Sequence, residues 1–72
     1  MSNSRDHKRF CENDGWELYK TTDHYFYRKT LPSGEVLRTF VSMGSKQYGK
    51  TMFAKILKDQ LRVSKEQFNE KI

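Results

Sequence analysis

The chain predicts an α+β fold: a three-stranded antiparallel sheet with helices laid on one face. Three observations lead there. Its 72 residues allow one small core and no second domain. The apolar periods run in the order helix, strand, strand, strand, helix, helix. And Leu31-Pro32-Ser33-Gly34 reads as a turn, with Pro32 at its second position and Gly34 at its fourth, which folds the second and third strands into a hairpin. A meander covered on one side by helices is a two-layer sandwich. Its second face then stays open or meets a partner.

Each element has its own signal. Ser4 can cap a short helix over about Arg5–Asn13, whose apolar content is thin: Phe10, Cys11 and the ring of His7. Asp14-Gly15 ends it, Gly15 being free to take a left-handed conformation. Trp16 to Lys20 alternates and reads as a strand; His24-Tyr25-Phe26-Tyr27-Arg28-Lys29 is aromatic-rich and reads as the next; Val36 to Ser42 is the third. Beyond a loop with two glycines, Met52, Phe53, Ile56, Leu57 and Leu61 share one helical face, while Lys55, Lys58 and Arg62 share another. Ser64 with Gln67 forms a capping box, and Val63 with Phe68 a hydrophobic staple, so a short terminal helix covers about Lys65–Lys71. The expected core is Phe10, Leu18, Phe53, Ile56, Leu57, Leu61 and Phe68. The whole of 1–72 is read as a single domain, with residues 1–4 expected to be disordered.

Composition narrows the function classes. No apolar run is long enough to cross a bilayer, and Met1-Ser2-Asn3-Ser4-Arg5-Asp6 lacks the apolar stretch of a secretory signal. Cys11 is the sole cysteine and cannot form an intrachain disulfide, so a cytoplasmic location is expected. The net charge is +5 and unevenly spread: residues 1–42 hold seven basic and six acidic side chains, residues 43–72 seven basic and three acidic. A basic half with interleaved aromatics suits a polyanion, nucleic acid before membrane; a solvated lysine-rich surface fits the composition equally.

Four motifs invite chemistry. Gly44 to Thr51 matches the phosphate-loop pattern G-x-x-x-x-G-K-[ST], but that chemistry needs a parallel sheet and a second strand bearing an aspartate on the magnesium side, and a hairpin sheet with 21 residues to follow offers neither. No nucleotide cofactor is therefore expected. What survives is local: Lys46, Lys50 and glycine-flexible backbone can hold a phosphate of a nucleic-acid backbone, or the loop is a plain connector. His24 begins the aromatic strand, and histidine is the side chain suited to proton transfer at neutral pH; a strand histidine is also often structural. Asp23 adjoins it, yet strand neighbours point to opposite faces, so Asp23 is not a ready orienter. His7 and Cys11 have the i, i+4 spacing of a metal pair without a third and fourth ligand, and no metal site is expected. Lastly, Lys55, Lys58 and Arg62 form a basic stripe that Arg28, Lys29, Lys46 and Lys50 could extend.

The order of features resembles a known family. Gly15-Trp16, followed by Thr22-Asp23-His24-Tyr25-Phe26-Tyr27-Arg28, is similar to the glycine-aromatic and Gly-Ser-His-His-x-Tyr-Arg pattern of HicA-type toxins, the YcfA-like family. Phe53, Ile56-Leu57-Lys58, Leu61 and Val63 to Phe68 look like that family's C-terminal helix and its ending. The resemblance runs over about residues 5 to 70. It departs at Thr22-Asp23, where the family has Gly-Ser, at Tyr25, where a second histidine is common, at Val41-Ser42-Met43-Gly44, which lacks the Pro-x-His segment, and at Arg62, where a helix-ending glycine is usual.

The resemblance implies a fold like the double-stranded-RNA-binding domain. It implies a ribosome-independent mRNA endonuclease, a HicB-type antitoxin partner, and a catalytic histidine that falls on His24. His24 would then serve as general base or acid while a ribose 2′-hydroxyl attacks the neighbouring phosphodiester. Lys20, Arg28, Lys46 and Lys50 are expected to hold the phosphate, with Lys29, Lys55 and Lys58 as further RNA contacts. The departures favour an alternative, a non-catalytic module that binds RNA or a protein through the same surface.

Overall fold

A computed structural model of the chain describes residues 3–44 and 46–72. Helix α1 covers Ser4–Asn13. Its cap is Asn3, not Ser4: the Asn3 side-chain oxygen accepts from the Asp6 backbone N–H at 3.0 Å. Ser4 is buried as the first helical residue, and its hydroxyl donates to the Gly44 carbonyl (2.5 Å) and accepts from the Lys46 N–H (2.8 Å). Asn3 and Ser4, within the stretch expected to be disordered, have side chains held by these bonds; Met1 and Ser2 lie outside the described residues. Gly15 follows the helix at φ +81°, the left-handed conformation its lack of a Cβ permits.

Strands β1 (Glu17–Thr21), β2 (His24–Thr30) and β3 (Val36–Ser42) form one sheet in the order β1-β2-β3, antiparallel throughout. The β2–β3 register runs without a break from His24 opposite Ser42 to Thr30 opposite Val36. The turn closes as read, with Gly34 at φ +93° donating to the Leu31 carbonyl at 2.8 Å. β1 carries an irregularity between Leu18 and Lys20.

A second helical layer packs on the sheet. Helix α2 (Lys50–Lys55) runs on as a wider-wound π segment (Ile56–Leu61) and stops at Arg62, which stands at φ 55°, ψ 45°. Arg62 thus occupies the left-handed position at which glycine ends a helix without strain. Helix α3 (Lys65–Glu70) has the Ser64–Gln67 capping box with both reciprocal bonds formed.

The core lies between the layers. Phe10 and Cys11 from α1 meet Tyr27 of β2, Leu37 and Val41 of β3, Ile56, Leu57 and Leu61 of the π segment, and Phe68 of α3. Phe68 stacks on Phe10 at 5.1 Å and takes the edge of half-buried Phe53 at the same distance. Leu18, expected in the core, is 46% exposed. It sits on the edge strand at the irregularity, beyond the helices, which pack on β3. Trp16 and Tyr48 are core members that the helical and strand periods did not nominate.

Candidate nucleic-acid interface

The helices cover one face of the sheet, and strand alternation assigns the other. On β3 the side chains of Leu37, Thr39 and Val41 are buried, so Val36, Arg38 and Phe40 point away from the helices. The register carries this to β2: Phe26 lies opposite Phe40, and Arg28 opposite Arg38, with His24 two residues before Phe26 on the same side. On β1 the irregularity brings both Tyr19 and Lys20 to that side, the Tyr19 ring 6.3 Å from Phe26 and the Lys20 ammonium 5.4 Å above the Phe26 ring.

An aromatic row therefore crosses the open face. Tyr19, Phe26 and Phe40 are spaced 6.3 and 6.2 Å apart, and the His24 ring lies 5.4 Å from Phe40. Cations border the row. The Arg28 guanidinium lies 5.1 Å from the Tyr19 ring centre while its Nε donates to Glu17 at 2.8 Å. That bond holds the Glu17 carboxyl below its usual range and Arg28 above its own. Arg38 has no ion-pair partner among the described residues.

His24 stands at the end of this row. Its Nδ1 is buried without a hydrogen-bond partner among the described residues, so Nε2 is the nitrogen left to meet a ligand. Asp23 is 3.9 Å from Nε2, too far for a hydrogen bond, and its exposed carboxyl is held instead by the Thr22 hydroxyl at 2.9 Å. That hydroxyl is the main cause of its lowered pKa, ahead of its own backbone N–H and the His24 charge. Asp23 stands in the bend before β2, outside the strand, and forms no hydrogen bond with His24.

The expected RNA contacts divide. Lys20 and Arg28 share the open face with His24. Lys55 reaches its rim, lining a cleft of about 170 Å³ with Phe40, Ser42 and Met52. Lys29 is on the helical side of β2, where its ammonium pairs with Asp14 at 2.8 Å. Lys50 lines a separate cleft of about 440 Å³ with Asp6, Tyr48, Phe53 and Lys65. Lys46 and Lys58 are exposed, on the β3–α2 connection and on the π segment.

The glycine-rich connection itself is occupied by structure. Its Lys46 N–H donates to the Ser4 hydroxyl and its Lys46 carbonyl accepts from the Ser4 N–H at 2.8 Å, so these two backbone groups tie the connection to α1. The phosphate-loop residue Ser45 lies outside the described residues.

His7 and Cys11 take structural places. Cys11 is fully buried, its thiol pushed up to about 12 mainly by burial. His7 uses both ring nitrogens: Nδ1 is 2.7 Å from the Tyr48 hydroxyl and Nε2 is 3.0 Å from the Thr39 hydroxyl, which itself donates to Gln60 Oε1 at 2.5 Å. Because Thr39 spends its proton on Gln60, its oxygen accepts from His7 Nε2–H, and Nδ1 accepts from Tyr48. Burial lowers the His7 pKa to about 4.

Sequence reasoning missed Tyr19, Phe26, Phe40 and Arg38 as site residues. The available signal was parity: once Tyr27 is assigned inward, Phe26 must face out. Among the described residues no helix is long and apolar enough to cross a membrane. No family model matches the chain, and searches of curated proteins and of solved structures return no match.

Proposed function

We propose that the chain is an RNA-binding endoribonuclease of the HicA toxin type, on a fold like the double-stranded-RNA-binding domain, acting in the cytoplasm on mRNA under control of a HicB-type antitoxin. The observation that carries this reading is the position of His24 on the open sheet face, beside the Phe26 and Phe40 rings and on the same face as Lys20, Arg28 and Arg38. His24 Nε2 takes the proton of a ribose 2′-hydroxyl; the oxygen attacks the adjacent phosphorus, the bond to the 5′-oxygen breaks, and solvent protonates that leaving oxygen. The products are a 2′,3′-cyclic phosphate and a 5′-hydroxyl. Lys20 and Arg28 offset the charge that develops on the phosphate. The scheme asks for no metal.

A second reading has its own support. Among the described residues His24 has no hydrogen-bonded orienter, since Asp23 stays 3.9 Å away and Nδ1 is unpartnered. A binding module without cleavage fits that feature. Incubating RNA with wild type and His24→Ala in excess chelator separates the two. The nuclease reading expects cleavage by wild type alone; equal cleavage by both, or a need for magnesium, refutes the role given to His24.

A further inference from the structure

We propose that the open face selects single-stranded RNA, stacking unpaired bases on Tyr19, Phe26 and Phe40 while Lys20, Arg28 and Arg38 take the phosphates; this rests on the RNA-binding reading above. The argument begins with what the face displays. Phe40 is 47% exposed and Tyr19 38% exposed, although the chain has few apolar residues to spare for a small core. Their rings, with Phe26 between them, form a row rather than isolated surface side chains. An exposed apolar patch rimmed by charge marks a binding surface.

Charge decides the partner class. Lys20, Arg28 and Arg38 border the row against two carboxylates, Glu17, which Arg28 already engages, and Asp23, 3.9 Å from His24 Nε2 at the end of the row, so the cations are in excess. A polyanion that also offers flat faces matches both features, and unpaired bases are such faces. Duplex RNA hides its base faces in the stack and is read by shape and by its 2′-hydroxyls, whereas single strands splay bases onto aromatic side chains. In the free protein Lys20 and Arg28 rest over Phe26 and Tyr19. An arriving base takes the ring face, and each cation moves the short distance to the adjoining phosphate.

The test uses 2′-O-methyl RNA, which cannot be cut by 2′-hydroxyl attack, so binding is read apart from cleavage. A labelled single strand and the same strand annealed to its complement are titrated by fluorescence anisotropy at matched ionic strength. The expected result is at least tenfold tighter binding of the single strand. Phe40→Ala and Tyr19→Ala should each weaken it by about five- to a hundredfold, with Phe40→Tyr restoring most of the loss. Circular dichroism confirms that these exposed positions leave the fold intact. Equal or tighter duplex binding, unchanged affinity in Phe40→Ala, or no binding of either RNA at low salt would overturn the proposal, the last pointing to a protein on this face. Phe40-dependent binding without cleavage of ordinary RNA would defeat the nuclease reading alone. Cleavage with strand-indifferent binding would defeat this one alone.

Discussion

Acidification should unfold this protein through His7. The ring is 1% exposed, and its two nitrogens are committed to Tyr48 and Thr39 in the neutral form. Burial holds its pKa at about 4, well below the ordinary 6.5 of a solvated imidazole. Between those values the unfolded chain binds a proton that the folded chain refuses. The stabilisation is therefore fully present above about pH 6.5 and is lost progressively as pH falls toward 4. That depression corresponds to roughly 3 kcal/mol at the acid limit and about 2 kcal/mol at pH 5. For a domain of this size 1 kcal/mol moves Tm by about 4–8 °C, so Tm should drop by about 8–16 °C between pH 7 and pH 5. Thermal unfolding by circular dichroism measures this. The variant His7→Gln should start less stable, by about 1–3 kcal/mol for the hydroxyls it leaves unpaired, yet lose most of the slope across that pH range. NMR titration of the His7 ring supplies a check independent of any variant. A ring that titrates near 6.5, or a wild-type Tm that is flat from pH 7 to 5, would refute the reasoning.

Other outcomes follow from packing and charge. Phe68→Ala should cost about 3–5 kcal/mol, a large share of the stability of a domain this size, while Leu18→Ala, on the exposed edge strand, should cost about 0.5 kcal/mol; urea unfolding compares them. Arg62→Gly should be about 1 kcal/mol more stable than Arg62→Ala in the same assay, because both lose the Glu35 ion pair but only alanine keeps a side chain at φ 55°. In RNA-binding titrations against salt, the double variant Lys20→Ala, Arg38→Ala should lower the slope by about two, one per lost phosphate contact, whereas Lys29→Ala, turned toward the helices and paired with Asp14, should leave it unchanged.

How far the molecule was legible depends on the range of the interactions involved. The Pro32–Gly34 turn, the β3 alternation and the Ser64–Gln67 box are local, and each forms as the residues suggest. The His7 chain is not local: its partners stand 32 and 41 positions away, and an isolated histidine on a polar helix carries no sign of them. Ser4 misleads for the same reason, since two bonds across the chain outcompete its capping tendency and Asn3 takes the cap. Leu18 and Tyr19 fail by parity. Uniform alternation from Trp16 places Leu18 and Lys20 on one face, but the irregularity between them turns Lys20 to the side of Tyr19 and Phe26. β2 presents aromatics on both parities, Phe26 out and Tyr25 and Tyr27 in, so its sequence alone cannot name the buried face.

The open face also bears on self-association. With strand order β1-β2-β3, both outer strands have an edge without a neighbouring strand in their own sheet, and the exposed row of Tyr19, Phe26 and Phe40 connects those edges. Such a surface invites pairing with a second sheet unless charge interrupts it. Lys20 on β1, Arg28 on β2 and Arg38 on β3 do so on every strand. The repulsion expected between two copies of this face is the same field that, on the proposed reading, would draw a phosphate chain toward it. Neutralising those cations should therefore weaken RNA binding and promote self-association together. If RNA were instead held by Lys46, Lys50 or Lys58, away from the row, the two effects would separate.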